Sequence, residues 1–129
     1  MTNSLKVISP LAYDDIGRGA PAVLLIPGYC EDREMYTDVA NLLGARFRVL
    51  PTDLLGHNGS SRPETDFCTD EIIESFRQHL KALELKEIVL VTVAHAGWLG
   101  LQLRKELGEQ IVGLVWLDWL VTEPTPKFF

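Results

Sequence analysis

Nowhere in this chain do apolar residues run for the roughly 20 positions that a membrane-spanning helix needs, so no membrane partner is expected. Lysine and arginine are few, 12 against 18 acidic residues, and they do not cluster. With a formal net charge of −6 and a pI near 5.0 the chain offers no phosphate footprint, which sets nucleic acid aside as a partner. Histidine and cysteine are scarce, three and two residues, and no His, Cys and carboxylate cluster has ligand spacing, so metal is not expected. Cys30 and Cys68 lie far apart in sequence. Met1-Thr2-Asn3-Ser4 opens without a basic n-region and apolar h-region. The expectation is a cytoplasmic protein with reduced thiols and no signal peptide.

What is present is ordinary globular material: 129 residues, 47% hydrophobic and 23% charged, enough for one domain over 1–129 with a real core. Leu5 to Ile8 and Leu11 to Tyr13, split by Pro10, read as two edge strands before a glycine turn. Ala22 to Ile26 is a continuous apolar run, the pattern of a strand covered on both faces. Met35, Val39, Leu42 and Leu43 fall at helical spacing over 34–43, and Ile72, Ile73, Phe76, Leu80 and Leu83 make the stripe of a longer helix. Phe47 to Leu50, Ile88 to Val93 and Ile111 to Leu117 read as strands, and Trp98 to Leu107 as a helix capped by Gly108. Strands alternating with helices predict an α/β domain with a parallel sheet, its functional groups collected at the carboxyl ends of the strands.

One stretch organises the chain: the apolar strand Val89 to Val93 runs into Ala94-His95-Ala96-Gly97-Trp98 and then a helix. In α/β-hydrolase folds this is the place of the nucleophile elbow, normally G-x-S-x-G. Pro27-Gly28-Tyr29-Cys30, Gly56-His57-Asn58-Gly59-Ser60-Ser61 and Leu117-Asp118-Trp119-Leu120 accompany it in the order and near the spacing of the first half of that fold. More narrowly, the chain resembles the cofactor-independent 2,4-dioxygenases that open 3-hydroxy-4-oxoquinoline and quinaldine rings. The pointers are an aromatic and Cys after Pro-Gly, His after the elbow residue, Gly-Trp beyond it, and Asp-Trp-Leu after the sixth strand.

That resemblance implies a cofactor-free reaction in which a His–Asp pair deprotonates a small aromatic or enolisable substrate and the anion meets O₂. It makes Asp118 and His95 the candidate catalytic residues, Asp118 as the acid that orients the base. Tyr29, Ala94, His95, Trp98 and Trp119 become the candidate substrate-binding residues. Gly28, Ala94 and Gly97 shape the turns, and the Tyr29 and His95 backbone N–H groups form an oxyanion hole. Two departures matter. Ala94 stands where the elbow serine belongs, so nucleophilic ester chemistry is not expected. Glu31 stands where relatives carry a second His. His57 reads as a loop hydrogen-bonding residue and His79 as a boundary residue of its helix.

The resemblance implies a sheet of about six strands in the order 1-2-4-3-5-6, without the cap and last two strands. The family's base His follows the last strand, and no residue of this chain matches it. Strand six, Ile111 to Leu117, would form an apolar edge without Lys or Pro to blunt it. A second copy, a complementing chain or the tail from Pro124 to Phe129 would cover it, with Trp116 or Trp119 in the contact. Two classes of function follow: an enzyme completed in trans or by substitute residues, either dioxygenase-like or a hydrolase or isomerase of a small carbonyl compound, or a non-catalytic half-domain that dimerises or binds an aromatic ligand.

Overall fold

The computed structural model describes residues 11–118. Strands β1 (Ala22–Ile26), β2 (Arg48–Pro51), β3 (Ile88–Val93) and β4 (Ile111–Leu117) form one parallel sheet in the order β2-β1-β3-β4. Helices α1 (Thr37–Leu43), α2 (Thr69–Ala82) and α3 (Ala96–Leu107) connect them, with 3-10 turns at Arg33–Tyr36 and Gly108–Gln110.

These four strands are the last four of the six expected, in the expected order. Of the other two, Leu5 to Ile8 lies outside the described residues, and Leu11 to Tyr13 is not a strand. Tyr13 and Ile16 instead make isolated antiparallel bridges to Thr52 and Val49. The ladder stops there because the chain must turn at Gly17, whose φ is +75° and whose Cβ would lie 2.3 Å from the carbonyl oxygens of Gly44 and Phe47.

The central strand β1 is buried along its whole length because helices lie on both sides of it. On one face Leu24, Ile26, Leu50, Ile88 and Leu90 meet Ile73, Phe76 and Leu80 of α2 and Leu99 and Leu103 of α3. On the other face Val23, Leu25, Val49 and Val91 meet Tyr36 and Ala40, with Leu43 packed beside them. This second face corrects the sequence reading of α1. Met35, Val39 and Leu42 are not core residues but are 42%, 46% and 78% exposed. Met35 falls in the 3-10 turn, whose tighter period rotates the inward face onto Tyr36 and Ala40. The Tyr36 hydroxyl then locks that rotation by donating to the Ile26 carbonyl at 2.7 Å.

Strand β4 is covered on one side only. Leu114 and Trp116 face α3, whereas Gly113, Val115 and Leu117 pair in register with Val89, Val91 and Val93 on the α1 side. Among the described residues no helix covers that strip over β4, and Val115 and Leu117 are each 44% exposed.

His79 does not border the apolar stripe of α2 half in water but is buried with it, its ring edge-on to Tyr13 at 4.7 Å. Its Nε2 has no hydrogen-bond partner among the described residues, and burial pushes its pKa down to about 4. A folded pKa below the unfolded value of 6.5 means stability that is whole above pH 6.5 and falls as pH drops toward 4. Urea unfolding should lose about 2–3 kcal/mol more between pH 7 and pH 4 in the parent chain than in His79→Leu. Parallel pH profiles for the two would show that His79 is not the group responsible.

Candidate functional site

Helices α1 and α3 leave neighbouring strands β1 and β3 for opposite faces of the sheet. Their connections therefore diverge and open a crevice at the carboxyl ends of those strands, the place where open α/β sheets bind ligands. Gly28 lines it from β1: a Cβ there would stand 3.3 Å from Glu31 Oε1 and 3.9 Å from the Val93 carbonyl oxygen. Tyr29 follows, exposed at the edge, with burial of its phenol raising its pKa above the ordinary value. The hydroxyl is thus a donor at neutral pH.

From β3 comes the turn at Ala94, in the left-handed region at φ +50°. Its N–H donates to the Leu117 carbonyl at 2.9 Å, and its own carbonyl accepts from Trp116 Nε1–H at 2.8 Å. His95 precedes the first turn of α3. Gly97 lies directly beneath the Trp116 indole, where a Cβ would come within 1.5 Å of Cε2. Trp98 stands edge-on to the same indole, with ring centroids 5.5 Å apart. Trp116 is therefore turned onto α3 and the elbow. Asp118 ends β4 one residue beyond the Leu117 contact, exposed and at φ +54°. Trp119 lies outside the described residues.

A third loop, after β2, holds the loop after β1 in place. The fully buried carboxylate of Asp53 pairs with the Arg33 guanidinium and accepts from the Arg33 N–H at 2.8 Å, Asn58 Nδ2 at 3.2 Å and the Gly59 N–H at 3.1 Å. Ser60 Oγ donates to the Asp53 carbonyl at 2.7 Å and accepts from the Ala12 N–H at 2.9 Å. His57 acts as the loop residue its glycine-rich turn suggested. Its Nε2 accepts from the Cys30 N–H at 3.1 Å, so Nδ1 carries the proton and donates to the Leu55 carbonyl at 2.9 Å. That uses the Cys30 amide, whereas the Tyr29 amide makes no hydrogen bond to the described residues. Among the described residues no group of three His, Cys, Asp or Glu could hold a metal ion.

Residues 21–105 match the α/β-hydrolase fold family. The chain belongs to that family. 2-Heptyl-3-hydroxy-4-quinolone dioxygenase AqdC2 of Rhodococcus erythropolis is 32% identical over 122 residues, covering 92% of this chain and 45% of that enzyme. 1H-3-hydroxy-4-oxoquinoline 2,4-dioxygenase of Pseudomonas putida is 25% identical over 111 residues, covering 85% of this chain and 42% of that enzyme. The solved structure of AqdC, which recognises and cleaves the ring of the Pseudomonas quinolone signal, superposes with a TM-score of 0.81 at 28% identity, covering 92% of this chain and 46% of that one. An esterase of Thermogutta terrifontis shares the fold, with a TM-score of 0.81 at 24% identity. The chain thus spans less than half the length of these relatives.

The turn at Ala94 joins β3 to α3 with its backbone in the left-handed region, a strained strand-to-helix turn that carries a methyl group and no nucleophile. The structure brings Gly28, Tyr29, Ala94 and His95 to the ends of the two strands that flank the crevice, and sets Asp118 at the end of the next. The sequence puts Asp53 at the carboxyl end of a strand, where functional groups collect, without showing what it binds. A lone Asp after an apolar strand and before Gly-x-x-Gly was the available signal, but nothing in the sequence pairs it with Arg33. Sequence reasoning passed over Trp116 as the brace of the elbow.

Gly97→Ala should destabilise the chain by about 3 kcal/mol, because the indole it meets is held by its own hydrogen bond. In a Trp116→Leu background the same change should cost less than about 1 kcal/mol. Denaturant unfolding of the four chains of this cycle reads the difference, and equal costs in both backgrounds would show that the clash is not with Trp116.

Proposed function

We propose that the carboxyl edge binds a planar, weakly acidic heteroaromatic of the 3-hydroxy-4-quinolone class, and that it holds the anionic oxygen without attacking it. The observation that carries this reading is the elbow. Its left-handed turn and its bracing by Leu117 and Trp116 are intact, while Ala94 has no atom that could act as a nucleophile. The reading assigns oxyanion binding to backbone N–H groups beside the turn, those of Tyr29 and His95, with the Tyr29 ring as aromatic surface. The names of the similar proteins, quinolone dioxygenases, supply the ligand class.

Ring cleavage needs a base to form the substrate anion, after which O₂ reacts with it directly. In this reading Asp118 takes the role of the acid that orients such a base, as the resemblance implies, and His95 is the imidazole nearest Ala94 in sequence. None of residues 1–129 matches the family's base, so this stretch is expected to bind without oxygenating. The second class of function is then the chain's resting condition: a binding half-site.

Titration of intrinsic tryptophan fluorescence with 1H-3-hydroxy-4-oxoquinoline should saturate below about 1 mM, an affinity worth roughly 4 kcal/mol or more. No oxygen uptake and no turnover of a p-nitrophenyl ester should accompany it, and Ala94→Ser should not by itself create an esterase. Failure to saturate would remove the binding reading, whereas oxygen uptake by the purified chain would establish a resident base.

A further inference from the structure

The turn that follows β1 brings a carboxylate into the crevice. The Glu31 N–H donates to the Gly28 carbonyl at 3.1 Å, with Cys30 at φ +67° inside the turn and its amide held by His57 Nε2. A turn closed in this way returns its fourth residue to its first. The Glu31 side chain accordingly lies back over Gly28, with Oε1 3.3 Å and Cδ 3.7 Å from where a Cβ there would stand. The Val93 carbonyl oxygen, at the end of β3, is 3.9 Å from the same point, so two acceptors face one gap between the strand ends. The Glu31 carboxylate takes no hydrogen bond and no ion pair from the described residues. The nearest cation in sequence, Arg33, is committed to Asp53 and to Asp14, the latter at 3.2 Å. Burial, and after it the Glu31 charge, holds the Tyr36 phenol well above its ordinary pKa, so that charge is felt inward as well as in water.

A 1H-3-hydroxy-4-oxoquinoline presents two kinds of polar edge, its neighbouring oxygens and, across the ring, an N–H. Setting an anionic oxygen against Glu31 would bring two negative charges together, and leaving the N–H unpaired would strand a donor. One orientation avoids both costs. We propose that Glu31 orients and selects the ligand: its carboxylate accepts a hydrogen bond from the ring N–H, with the anionic oxygen turned away toward the backbone donors. This assignment rests on the binding reading above and adds to it a demand for an N–H. An N-alkylated ring would lay a methyl group against the carboxylate, taking water from a charge and returning no hydrogen bond.

Titration of tryptophan fluorescence with 1H-3-hydroxy-4-oxoquinoline and with its 1-methyl counterpart reads the preference. In the parent chain the methylated compound should bind at least ~10-fold more weakly, the loss expected of one hydrogen bond to a charged group. Glu31→Ala, at an exposed position, should keep the far-ultraviolet circular dichroism of the parent and bring the two compounds within ~2-fold of each other. Glu31→Gln keeps an acceptor oxygen without the charge, and its preference should fall between those two. Equal affinities in the parent would overturn the assignment while leaving the binding reading standing. A preference undiminished in Glu31→Ala would also overturn it, since exclusion of a methyl group by shape needs no carboxylate. Saturation by neither compound would remove the binding reading and the assignment together.

Discussion

The carboxylate of Asp53 has no access to water, and a charge in that position is tolerable only because donors converge on it from two loops. Arg33 brings its guanidinium and its backbone N–H from the segment that follows β1. Asn58 and Gly59 close the turn after β2, and Ser60 carries the tie onward to Ala12. Removing the Arg33 guanidinium would leave an uncompensated buried charge, and removing a neutral donor would weaken its solvation, so the segments that meet at Asp53 have one shared geometry. The position of Gly28 and Tyr29 at the crevice follows from it, and His57 adds a second tie through the Cys30 amide.

The elbow is held by an independent set of contacts. Ala94 is an alanine in a backbone region that favours glycine, and the strain is borne by its hydrogen bonds to Leu117 and Trp116 and by the packing of Trp116 over Gly97. In an enzyme that strain lifts a nucleophile above the sheet. Here the residue at the turn is an alanine, which has no atom that could act as a nucleophile. The likeness to quinolone dioxygenases fits this, because oxygenation of an electron-rich anion makes no demand for an acyl-enzyme.

The same sheet sets the chain's main unmet demand. Its inner strands are apolar on both faces, and the described helices cover one face fully and the other in half. The exposed stripe of α1 and the exposed strip of β4 are two sides of that one shortage. The crevice at the carboxyl edge is set by a different feature, the departure of α1 and α3 to opposite faces.

The amino-acid sequence by itself determined the α/β class, the four strands and the strand-to-helix turn at Ala94, because these rest on local signals: apolar runs of strand length, helical spacing, and small residues at the turn; the order of the strands came from the family resemblance. It also determined that the elbow lacks a nucleophile, since Ala94 needs no structure to be recognised as inert. It misread α1, because Met35, Val39 and Leu42 fit a helical stripe, while the 3-10 turn and the Tyr36 to Ile26 hydrogen bond rotate the true face onto other residues. It misread Leu11 to Tyr13 as a strand, because short apolar runs do not reveal whether a ladder can form beside them. Only the tertiary structure decided the Asp53 to Arg33 pair, the bracing of the elbow by Trp116, and the burial of His79. Each of these joins residues far apart in the chain, and no local pattern encodes which distant side chain will fill a given gap.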